Sequence, residues 1–181
     1  MATPTPMLLL AVAAVVMSTA ATLLPTATGD AVFLSSICNK THNDKCAAVL
    51  NSSPDTADAA TVGDLATIAL DLAVAAAGVI NDKASSYDPS SPEYNALRVC
   101  GGAYFDAVND LDIDARDGLN SGDYATAVNL VSGAGAAADD CENAVANGKV
   151  ASVMADVDQK MKDRCGVARD VINLLIPPKS N

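Results

Sequence analysis

Tryptophan is absent from this 181-residue chain, and aromatic residues together make up only 3% of it. A core made from such a sequence has to be filled by small and aliphatic side chains, so its elements must stand close together. Histidine occurs once, at position 42, which leaves no base for a serine or cysteine nucleophile in the usual arrangement. Positive charge is also scarce: 11 Lys and Arg against 22 Asp and Glu give a net charge of −11. With no basic patch to neutralise phosphates, nucleic acid is excluded as a partner, whereas a basic protein partner would be drawn in faster. No stretch alternates apolar and polar residues for the length of a strand, so the pattern is all-α.

One long hydrophobic run is present, at the start. Residues 1–29 carry no charged side chain, and Met7 to Leu24 is almost unbroken apolar sequence. With the small residues Ala27 and Gly29 after it, the segment reads as a secretory signal cut before Asp30, leaving 30–181 as one domain. A signal anchor is the alternative for a run of this length. Export places the five cysteines in an oxidising compartment, where they pair and leave one over. Cys38 and Cys46 are near enough to close a small loop. Asn39-Lys40-Thr41 and Asn51-Ser52-Ser53 match the N-glycosylation sequon, which makes Asn39 and Asn51 candidate sugar sites.

Helical periodicity accounts for the remainder. Val62, Leu65, Ile68, Leu72, Ala76 and Val79 form the apolar stripe of a helix from Thr61 to Lys83, with many alanines around it. Ser90-Ser91-Pro92-Glu93 carries the marks of a helix start, a Ser cap with Glu three residues on. The stripe that follows is Leu97, Gly101, Tyr104, Val108, Leu111 and Ala115. Asn120-Ser121-Gly122 breaks the pattern, and Asp123 restarts it with Tyr124, Val128, Val131, Ala138 and Val145 until Asn147-Gly148 stops it. These two helices make an antiparallel hairpin in which Cys100 and Cys141 fall at the same height and can bond. A last helix, Val150 to Leu175, carries Cys165 on its apolar stripe and ends before Pro177-Pro178. Cys165 then reads as a buried free thiol, or else as one partner of an intermolecular disulfide. The expected fold is an up-down-up-down four-helix bundle over 61–175, preceded by a small helical hairpin over 30–56 and locked by two disulfides.

Asp106, Asp110, Asp114 and Asp117 recur at spacings of four, four and three, as one acidic ridge on the outside of the central hairpin. Asp110, Asp112 and Asp114 mimic the opening of a calcium loop, but Ala115 stands where the glycine belongs and Ser121 where the glutamate belongs. No metal, cofactor or catalytic residue is therefore expected. His42 lies in the Cys38 to Cys46 loop, where a surface role is the ordinary one. Helical bundles can also enclose an apolar ligand, and a small-ligand carrier is a more remote reading.

The ordered set Ile37-Cys38, Thr41, Cys46, Leu50, Ser53-Pro54 and Ala57-Asp58, then Leu65-Ala66, Ile68-Ala69 and Ala73, resembles the plant invertase and pectin methylesterase inhibitor domain. Cys100, Tyr104, Asp106-Ala107-Val108 and Leu111 look like its Cys-x-x-x-Tyr-x-Asp-Ala-Val motif, and Gly122-Asp123-Tyr124 with Ala127 and Cys141 looks like its next helix. The resemblance covers nearly all of 30–181. It implies an apoplastic, cell-wall or vacuolar inhibitor that forms a noncovalent 1:1 complex with a carbohydrate-active enzyme and occludes its active-site cleft. It implies the same two disulfides and the same bundle. The Pro-Lys-Phe motif of some invertase inhibitors is absent, since Pro178-Lys179 is followed by Ser180. The expected target is thus pectin methylesterase, with acid invertase as the alternative. Around Cys141 the chain lacks the Thr before and the Phe after that many members show.

Overall fold

Alanine lines the inner side of the first long helix: Ala66, Ala69, Ala73, Ala76 and Ala77 are buried there, between Leu65, Leu70 and Ile80. Side chains this small let neighbouring helices approach closely, and the remaining elements are arranged around that surface. The computed structural model describes residues 29–85, 88–91, 93–149 and 154–178. The expected signal of residues 1–29, all but its last residue, and the expected helix start at Val150 lie outside them.

In chain order the elements are α1 (Gly29–Thr41), α2 (Cys46–Leu50), a 3-10 helix (Pro54–Asp58), α3 (Val62–Ser85), α4 (Tyr94–Asn109), a π-helical segment (Asp110–Ala115), α5 (Arg116–Ser121), α6 (Tyr124–Gly148) and α7 (Ala155–Asn173). Helix α3 packs on α4 and α7, and α6 packs on α4 and α7, so consecutive long helices are neighbours in a closed ring. That ring is the four-helix bundle. The small helices α1 and α2 lie across one end of it, against the start of α3 and the end of α7. Asn43 Nδ2 donates to Asp170 Oδ2 at 2.7 Å and holds that end closed.

Local chemistry explains the boundaries. Thr61 and Asp64 form a reciprocal capping box, Asp64 Oδ2 accepting from Thr61 N at 2.8 Å and Thr61 Oγ1 accepting from Asp64 N at 3.1 Å. These bonds favour the ionised carboxylate and hold Asp64 below the usual carboxylate range, with the Ala60 backbone N–H the largest cause. Gly122 adopts φ +82°, the left-handed turn that ends α5, and Asp123 caps α6 by accepting from Thr126 N at 3.2 Å.

The structure corrects three boundaries. Helix α4 begins at Tyr94, because Ser90 is held in a turn by Asp88 Oδ1, which accepts from its N–H and its hydroxyl; Glu93 makes no side-chain cap. Helix α6 runs through Gly148, and Lys149 is the residue that turns left-handed, at φ +53°. The helix expected to continue from α4 is interrupted, since Asp110–Ala115 winds as a π-helix. In that wider turn Leu111 and Ala115 are both still buried.

Cys38–Cys46 joins α1 to α2, and Cys100–Cys141 joins α4 to α6 with a Cα separation of 4.4 Å. Cys165 is unbonded and buried, its Sγ lying 3.9 Å from Met161 Sδ, and burial pushes the thiol up to about 12. The residue packs as a small hydrophobe, and Gly135 on α6 leaves it room: a Cβ there would stand 3.1 Å from Cys165 Cβ. Opening the Cys100–Cys141 loop, a sequence separation of 41, by the double change Cys100→Ser and Cys141→Ser is expected to cost about 4 kcal/mol. Scanning calorimetry should read this as a fall in Tm of roughly 10 °C.

Candidate functional site

Helix α4 turns Leu97, Cys100, Tyr104 and Ala107 inward, and this leaves Val99, Phe105 and Asp106 outside. Further along, Ile113 stands on the π segment with 61% of its surface exposed, and Phe105 on α4 is 57% exposed. Two large exposed apolar side chains among acidic ones are a feature of interaction surfaces.

The four predicted aspartates fall on three segments, not on one continuous α-helix. Asp106 is exposed on α4, Asp114 is exposed and Asp110 half-buried on the π segment, and Asp117 is exposed on α5. A fifth carboxylate, Asp112, is tied down: Arg116 Nη2 bridges Asp112 Oδ1 at 2.9 Å and Asp71 Oδ1 of α3 at 2.8 Å. Arg116 therefore fastens the π segment to the neighbouring helix. Among the described residues, no group of three His, Cys, Asp or Glu is arranged to hold a metal ion.

Between α4 and α6 runs an open groove of about 710 Å³. Its floor is Ala96, Val99, Ala103 and Ala144, and its walls include Asp106, Asp140, Asn143 and Asn147. It is acidic, amide-rich and shallow, a shape suited to another protein's surface more than to an enclosed small molecule. The clefts beside α1 and α2 are likewise open, and Asn39 and Asn51 are exposed there, on the rim of one of them. His42 is exposed where α1 ends, with φ +54°.

A family comparison matches residues 32–174 to plant invertase/pectin methylesterase inhibitor. The chain belongs to this family. Among solved structures, a mutant form of a pectin methylesterase inhibitor from Arabidopsis is similar, with TM-score 0.63 and 30% identity over 80% of this chain and 98% of that one. A second, a pectin methylesterase inhibitor from Arabidopsis thaliana, gives TM-score 0.59 and 29% identity over 82% of this chain and 99% of that one. A search of curated protein sequences finds no match. The bundle, its N-terminal hairpin and its two disulfides are those of an inhibitor fold.

The exposed pair Phe105 and Ile113 is a feature that periodicity passed over. Both sit off the apolar stripe, which is the signal that could have found them. Asp158 is a second one. It is four residues after Met154 and three before Met161, on the buried stripe of α7 itself, where a carboxyl is out of place.

Arg116→Ala should cost under about 1 kcal/mol, since all three groups of this ion pair are partly exposed. Amide hydrogen exchange should nonetheless speed up over residues 110–115 while residues 38–46 keep their protection.

Proposed function

We propose that this chain is a secreted proteinaceous inhibitor that lies across the active-site cleft of a pectin methylesterase in a noncovalent 1:1 complex and performs no chemistry of its own. The observation that carries this reading is the match of residues 32–174 to the inhibitor family together with similarity to two solved pectin methylesterase inhibitors. The apolar, uncharged N-terminal run supports export to the cell wall or apoplast, with the vacuole as a second destination. Acid invertase is the second target, favoured by the family's own description.

The face assigned to the enzyme is the outer side of α4 and the π segment with the groove against α6. Phe105 and Ile113 supply apolar contact, while Asp106, Asp110, Asp114 and Asp117 supply charge. A rigid bundle loses little conformational entropy when it docks, and a row of carboxylates steers a basic cleft rim toward it. The sequons Asn39 and Asn51 belong to the hairpin at the far end of the bundle, where sugars would leave the groove uncovered.

Titration of a pectin methylesterase and of an acid invertase with the purified protein tests the reading. Residual activity is expected to fall sharply near equimolar amounts with the first and to stay unchanged with the second. Loss with neither enzyme overturns it. Replacing Asp106, Asp114 and Asp117 by Asn is expected to slow association roughly 10-fold at low salt, and the gap between variant and wild type should close as salt rises. Phe105→Ala is expected to raise the dissociation rate with little salt dependence.

A further inference from the structure

Asp158 is 1% exposed, in the first turn of α7. Its Oδ1 accepts from the hydroxyl of Tyr104, which reaches across the ring from α4. Its Oδ2 is buried and meets no N–H or hydroxyl donor. What stands beside it is the carboxyl of Glu142 on α6. Two ionised carboxyl groups only accept, so a hydrogen bond between them requires that one keep a proton.

We propose that Asp158 and Glu142, clamped by Tyr104, share one proton in the folded bundle, and that this carboxyl pair makes the fold acid-favouring, so that its stability is lost as the medium turns neutral. Tyr104 on α4 is fully buried and its pKa is raised, by burial first and then by Asp158, so it stays a neutral donor. On α7 itself Cys165 is a neutral thiol, and Lys162 pairs with Asp139 of α6 at 2.5 Å while its charge still opposes the upward shift of Asp158. On α3 the charged residues at that end, Asp82 and Lys83, are exposed.

Burial, and after it Glu142, pushes Asp158 up to about 7, against the opposing pull of Tyr104 and Lys162. In the unfolded chain an aspartate titrates near 3.9. Between those two values the folded state holds a proton that the unfolded state has released, so raising the pH favours unfolding. The contribution is complete below about pH 4 and disappears as pH passes through about 7.

Thermal unfolding of the wild type and of Asp158→Asn, followed from pH 5 to pH 8, tests the proposal. Asparagine keeps an acceptor for Tyr104 and gives Glu142 a permanent donor, so the variant should lack this dependence. Over that range the wild type is expected to lose roughly 5 °C of Tm relative to the variant. Parallel curves would overturn the idea. Should the variant fail to fold, carbon-detected NMR titration of the Asp158 carboxyl in the wild type decides alone: a midpoint above 6 supports the shared proton, and one near 4 removes it. Both readouts concern folding, so they stand or fall independently of the inhibition assay.

Discussion

Cα atoms 4.4 Å apart, at Cys100 and Cys141, fix how closely α4 and α6 can run, and the other helix contacts adjust to that distance. Small residues are numerous near the disulfide, Ala96, Ala103 and Ala107 on one helix and Ala134, Ala137 and Ala138 on the other, with Leu97, Tyr104 and Val145 as the larger buried members. The same economy of volume extends to α3 with its buried alanines and to Gly135, which admits Cys165 of α7. A bundle of this kind gains rigidity from close backbone approach and from covalent closure, with few bulky anchors.

Rigidity bears directly on the exposed side of α4. The helix is pinned inwardly by the disulfide and by Tyr104, and the π segment that extends it is fastened to α3 through Arg116 and Asp71. What α4 presents outward, Phe105 and Asp106 followed by Ile113 and Asp114, therefore sits on a frame that has little freedom to rearrange. An inhibitor acting by obstruction needs that property more than it needs any particular reactive group.

Much of this architecture was legible in the sequence, for physical reasons that differ from residue to residue. Stripes at helical spacing gave the four long helices, because burial on one side imposes a 3.6-residue period that composition alone cannot produce. Asp123 and Gly122 announced their turn through cap and left-handed chemistry that few residues share. Ser90 misled because a serine can bond to its own loop as well as to a helix, and Asp88 offered the nearer acceptor. The π segment left no trace, since Asp110 to Ala115 fits an α-helical period as well as a wider one. Asp158 was hidden by its type. A carboxyl beside Val157 reads as the solvent edge of a stripe, yet in the fold it is the buried member of the two.

Tyr104 is the one aromatic ring fully enclosed among the described residues, in a chain that contains no tryptophan. Its near-ultraviolet dichroism is consequently a built-in optical probe of the point where α4, α6 and α7 meet. Loosening of the hairpin at the far end would leave that band in place. Separation of the long helices would abolish the share of that signal that Tyr104 contributes.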